Sequence, residues 1–123
     1  MTELVTITPY SEAKGLVKIK FAFTAHTDGT ATGETVSTYT GFVYYVISDP
    51  GSTAPTTLWD FQLQDEDNYD TINGAGADRS ATVTEYLQMS ADGLGCVYDD
   101  KLTLEVSGAG SGGDGVIVVY IMS

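Results

Sequence analysis

A chain of 123 residues is the size of one ordinary domain, and residues 1–123 are expected to bury a single core without disulfides or structural metals. Five Lys and Arg against 17 Asp and Glu leave a formal charge of −12, which sets nucleic acid aside as a partner, since phosphate binding needs a basic surface. The single cysteine, Cys96, excludes an internal disulfide and a thiolate zinc cluster, and it suits a reducing compartment.

The opening MTELVTITPYSE has neither the basic start nor the apolar run of a secretory signal, so export is not expected. Within it LVTIT alternates, with Val5 and Ile7 on one face, and predicts a half-buried strand. GLVKIKFAFTA (15–25) is the clearest strand: Val17, Ile19, Phe21 and Phe23 alternate with Lys18, Lys20, Ala22 and Thr24, giving one apolar and one wet side. HTDGTATGET (26–35) reads as a turn-rich break. GFVYYVIS (41–48) is apolar on both faces, with Phe42, Tyr44 and Val46 opposing Val43, Tyr45 and Ile47. Asp49-Pro50-Gly51 then sets a turn and Pro55 removes a further backbone donor, so 49–56 is a loop.

TLWDFQLQ (57–64) places Trp59, Phe61 and Leu63 on one face. After the loops QDEDNYD (64–70) and NGAGADRSA (73–81) comes TVTEYLQM (82–89), a strand of less clean alternation in which Val83, Leu87 and Met89 share a face with Glu85. SADGLG (90–95) is another break, and KLTLEVS (101–107) turns Leu102, Leu104 and Val106 to one side. SGAGSGGDG (107–115), with five glycines in nine residues, predicts a mobile loop. The closing GVIVVYIMS (115–123) is again apolar on both faces, Ile117, Val119 and Ile121 opposing Val116, Val118, Tyr120 and Met122. Its apolar run, VIVVYIM, falls far short of the roughly 18 residues of a membrane-spanning helix, so a soluble chain with no membrane partner is expected. No fixed-period repeat emerges, which argues against solenoids and propellers. About eight short strands separated by Gly, Pro and Asp turns predict an all-β fold, an antiparallel β-sandwich, with a jelly roll as one wiring.

Five features invite a chemical reading. NGAGADRSA has glycines, Arg79 and Ser80 in a pattern that suggests a phosphate cradle, but such loops deliver their amides at a helix N-terminus, and here a β-branched, alternating run follows. It is read as a bend between strands, with Arg79 tying it down through carbonyls or a carboxylate. QDEDNYD offers Asp65, Asp67, Asn68 and Asp70 to a cation, yet the EF-hand places for glycine and the distal glutamate hold Asp70 and Gly76, so a solvated acidic loop without metal is expected. His26, the only histidine, is read as an exposed loop residue with no triad around it. Asp60, between Trp59 and Phe61, is expected to point to water, and Glu85 is the other carboxylate with apolar neighbours. Tyr44, Tyr45, Trp59, Phe61 and Tyr86 suggest a sugar-stacking platform, but Trp59 and Phe61 fall on the inward face and are read as core. No catalytic residue, metal ligand or cofactor-binding residue is assigned, and no cofactor is expected.

Two strands apolar on both sides exceed what a sandwich can bury, because each sheet has one inner face. Val43, Tyr45 and Ile47 of the first, with Val116, Val118 and Tyr120 of the last, are therefore assigned to a contact between subunits, which predicts a homo-oligomer; the competing cover is a flap formed by residues 26–40.

The stretches SDPGSTAPTTLWDFQLQDEDNYDTINGAGADRSATVTEY and LTLEVSGAGSGGDGVIVVYI resemble small acidic structural proteins of tailed-bacteriophage virions, with DPGSTAP, GAGADRSAT and the glycine loop before the last strand the most specific pieces. The likeness covers residues 43–121. It implies a particle component, carries over no catalytic residue, and points to a capsid decoration or cement protein. Such a protein would bind the outside of the major capsid protein shell after assembly in the host cytoplasm. The alternatives are a tail, neck or fibre-associated virion protein and, in another class, a carbohydrate-binding β-sandwich module. An enzyme is not expected.

Overall fold

The period-two runs become strands because alternation lets each of them turn one row of apolar side chains to a shared interior. A computed structural model describes residues 3–13, 15–89 and 95–123, with the backbone alone for 11–13. Its regular elements among the described residues are nine strands: β1 (Leu4–Ala13), β2 (Leu16–Thr24), β3 (Ala31–Glu34), β4 (Tyr39–Pro50), β5 (Asp60–Gln64), β6 (Glu85–Gln88), β7 (Gly95–Asp100), β8 (Thr103–Ser107) and β9 (Asp114–Met122). They form two antiparallel sheets. The larger runs β1-β2-β9-β4-β6, with β7 pairing the other end of β4, and the smaller runs β3-β8-β5. The fold is all-β, as the turn spacing predicts. The expected break at 90–95 lies, except for Gly95, outside the described residues.

The core fills the space between the sheets. Ile19, Phe21 and Phe23 of β2 and Ile117, Val119 and Ile121 of β9 meet Phe61 and Leu63 of β5 and Leu104 and Val106 of β8, all of them buried. Trp59 spans the gap, its ring 5.2 Å from that of Phe23 and 5.9 Å from that of Phe61. Its indole Nε1 donates to the Ser80 carbonyl at 3.0 Å, so the ring is buried without an orphaned N–H.

Two expectations are corrected. HTDGTATGET is not only a break: Ala31–Glu34 pair with β8, which also removes these residues as a flap over the larger sheet. β3 shows no apolar alternation because its neighbours, not its composition, decide it; Val5 lies so close to Gly33 that a Cβ there would collide with its methyls. The glycine-rich segment 107–115 is also no free loop. Ala109 N–H bonds Gly29 O at 3.0 Å, Thr56 N–H bonds Ala109 O at 2.9 Å, and Ala25 N–H bonds Gly113 O at 2.8 Å, so three loops are stitched together at one end of the sandwich. The glycines there permit positive φ, as at Gly108, Gly110 and Gly112, and close backbone approach.

β4 carries a bulge. Its pairing with β9 shifts register between Val43 and Tyr45, so Val43 and Val46 both point inward, three residues apart. Alternation through the segment therefore fails at Tyr44, and Val43 belongs to the core rather than to the outer face. Ser48, the next inward position of β4, is 0 % exposed and its hydroxyl has no hydrogen-bond partner. Ser48→Ala removes an unpaired buried polar group and is expected to stabilise the fold by about 1 kcal/mol, read as a raised urea midpoint at unchanged slope.

Candidate functional site

The segment 70–80 covers an edge. β5 has β8 on one side, and on the other its peptide groups are met by this segment. Phe61 N–H donates to Gly76 O at 3.0 Å, Arg79 N–H donates to Trp59 O at 2.7 Å, and Thr71 N–H donates to Leu63 O at 2.7 Å. Gly76 is buried against the Phe61 backbone, which leaves no room for a side chain. Arg79 does tie the loop down: its Nε donates to Ala77 O at 3.0 Å and its Nη1 lies 3.6 Å from the Glu85 carboxylate. A free sheet edge invites pairing with another chain, and the loop closes that route at β5.

Asp65 and Asp70 of QDEDNYD are likewise turned to the backbone. Asp70 accepts from the amides of Leu63 at 3.1 Å, Ile72 at 3.3 Å and Gly74 at 2.8 Å, and Asp65 accepts from those of Asp67 at 2.9 Å and Tyr69 at 3.0 Å. Their oxygens thus build the loop, and among the described residues no three acidic, histidine or cysteine side chains are grouped to hold a metal. Asp70→Ala leaves the Leu63 amide unpaired and is expected to cost about 2 kcal/mol in urea unfolding, whereas calcium is expected to leave the wild-type midpoint unmoved. Asp60 does not simply face water; its carboxylate accepts from the Asp78 amide at 2.8 Å. His26 sits in the turn before β3, partly exposed, 3.6 Å from Asp28, whose carboxyl is held below its ordinary range by the Thr30 hydroxyl and amide and, more weakly, by His26.

The outer face of the smaller sheet is polar. Asp60, Gln62, Gln64, Glu105 and Thr30 line a groove of about 470 Å³ there, in which Gln64 donates to Gln62 and Glu105 accepts from Thr32. Trp59 and Phe61 are core and contribute to no outer face.

The outer face of the larger sheet is different in kind. The registers set its side chains in rows: Leu16, Met122, Phe42 and Cys96; then Tyr10, Lys18, Tyr120, Tyr45 and Gln88; then Thr8, Lys20, Val118, Ile47 and Tyr86. No carboxylate stands in these three rows, although the chain carries 17. Asp49 and Asp114 mark one end. Tyr45 and Tyr120 lie with ring centroids 6.1 Å apart, and the Lys18 ammonium sits 5.2 Å from the Tyr10 ring centroid. Tyr86 is 63 % exposed, Met122 46 % and Phe42 43 %, while Tyr45, Ile47, Val116, Val118 and Tyr120 are half-buried.

Five of the six residues assigned to a contact surface from sequence, Tyr45, Ile47, Val116, Val118 and Tyr120, are thus brought together on one face, and Val43 is not. Phe42 was hidden by the bulge. Lys18 and Lys20 were visible as the wet side of their strand, but nothing local showed that this side adjoins Val118 and Tyr120. No family model, no curated protein and no solved structure matches the chain.

Proposed function

We propose that this chain is a non-catalytic structural protein of a bacteriophage virion, a capsid decoration or cement protein that binds the outside of the major capsid protein shell. The observation that carries the reading is the outer face of the larger sheet, which has three rows rich in apolar side chains and without a carboxylate, and on which no other described element packs. An exposed apolar surface of this breadth marks an interaction site. The acidic remainder suits the outside of a particle better than contact with packaged DNA.

Two further features support it. The resemblance of residues 43–121 to virion structural proteins points to a particle. The pairing is also nested, β2 with β9, β3 with β8 and β4 with β7, which supports a jelly-roll wiring with the segment 65–80 in the place of one strand, a fold used in viral capsids. That last step is analogy of fold, which raises the expectation without assigning the function. In this reading the protein acts mechanically: the apolar face gathers copies of the chain into the assembly, and the edge of β1, which among the described residues pairs only β2, meets neighbouring capsomers and adds buried area that holds them against internal pressure.

The test is made on particles of the phage that encodes the chain. Mass spectrometry of gradient-purified virions is expected to find it in many copies, with labelled antibody spread over the head, and particles lacking it are expected to lose DNA at lower temperature. Label confined to one vertex would move the protein to the neck or tail, and absence from purified particles would overturn the reading.

A further inference from the structure

We infer that the outer face of the larger sheet is self-complementary and pairs two copies of this chain about a two-fold axis parallel to β9 and β4, setting Lys18 and Lys20 of each copy over Gln88 and Tyr86 of the other. The inference deepens the preceding reading, since it names the occupant of the face which that reading makes the assembly surface.

Charge comes first. Two chains of −12 repel over most of their surfaces, and the three central rows of this face offer a meeting place without carboxylates and with two lysines. Packed sheets keep their strands within about 30° of alignment, which leaves two in-plane two-folds to compare. An axis across the strands lays β2 on β2 and brings the lysine rows of the two copies against each other, a like-charge contact in a closing interface. An axis along the strands, between β9 and β4, exchanges β2 with β6 and β9 with β4. The registers then put Val118 opposite Ile47, Tyr120 opposite Tyr45, and the Lys20 ammonium over the Tyr86 ring, where a cation is attracted by the π face. Asp49 stays at the end of the contact, beyond the apolar rows.

Size agrees with a single occupant. Four strands spaced about 4.8 Å apart and three rows about 6.8 Å apart, with side chains at the margins, make a face of on the order of 500 Å² per copy. Two copies bury on the order of 1,000 Å², about the lower bound for a specific interface, so the face suffices for one partner and not for several.

The full chain is tested by sedimentation over a concentration series, with circular dichroism confirming that each variant is folded. The wild type is expected to dimerise, Val118→Glu at the centre of the face to remain monomeric, and Lys20→Glu to weaken the dimer about tenfold or more. Lys20→Glu combined with Tyr86→Lys is expected to restore it. Within one chain these positions are three strands apart, on the order of 14 Å, too far to pair directly. A wild type that stays monomeric at millimolar concentration, a dimer indifferent to Val118→Glu, or failure of the double variant to recover would overturn the inference. A monomer found in virions sinks the self-contact and leaves the virion reading standing, and a dimer absent from virions does the reverse.

Discussion

Trp59→Ala is expected to bring the domain close to unfolding at room temperature. The indole is 0 % exposed, stacks at an angle between Phe23 of one sheet and Phe61 of the other, and donates to Ser80 O. Its removal opens a cavity at the junction of both sheets and leaves that carbonyl without its donor. Aromatic truncations of this kind cost about 3–5 kcal/mol, a large part of the 5–15 kcal/mol that holds a typical domain together. Trp59→Phe keeps most of the apolar contact and loses the hydrogen bond, so its loss is expected to be less than half as large. Equilibrium urea unfolding followed by far-ultraviolet circular dichroism ranks the three proteins; equal stability of the wild type and the alanine variant would show that Trp59 does not couple the sheets.

Gly76→Ala is the second large effect, and its origin is steric. Gly76 does not have positive φ, so alanine is conformationally acceptable there, but its Cβ would overlap the Phe61 carbonyl. The loop must then move away from β5, and the hydrogen bonds from Phe61 to Gly76 and from Arg79 to Trp59 are strained or lost. The expected destabilisation is about 2–3 kcal/mol, together with a new tendency to aggregate through the bared edge of β5. Gly74 is the control. It has φ of +81° but open space around its Cα, so Gly74→Ala is expected to cost only about 1 kcal/mol of backbone strain and to leave the edge covered. Light scattering on heating separates the two variants, and similar behaviour of both would remove the edge-covering role of the segment.

These expectations differ in how early they could be formed. Trp59, Phe61 and Leu63 as core, and Ile19, Phe21 and Phe23 opposite them, were legible in the sequence because a strand with one buried side must repeat every second residue. The reading of 73–81 as a bend leading into a strand was legible too, since the run that follows is β-branched where a phosphate cradle needs a helix. Its actual role as the cover of β5 was not, because nothing local to NGAGADRSA says which strand lies beside it. β3 escaped for the same reason, being held by Val5 and β8 rather than by its own pattern. At β4 the local rule misplaced Val43, since one bulged residue reverses every assignment beyond it.

What the sequence determined by itself was the material of the fold: a strand-rich, helix-poor chain of strong negative charge, with more apolar strand surface than two inner faces can hold. Those are properties of composition and of neighbours along the chain. Only the tertiary structure decided that the surplus gathers on one side of one sheet, beside two lysines and with no carboxylate in its three central rows. Adjacency across strands is set by register and by long-range pairing, as between Lys20 and Val118, and residues so far apart in the chain leave no local trace of it.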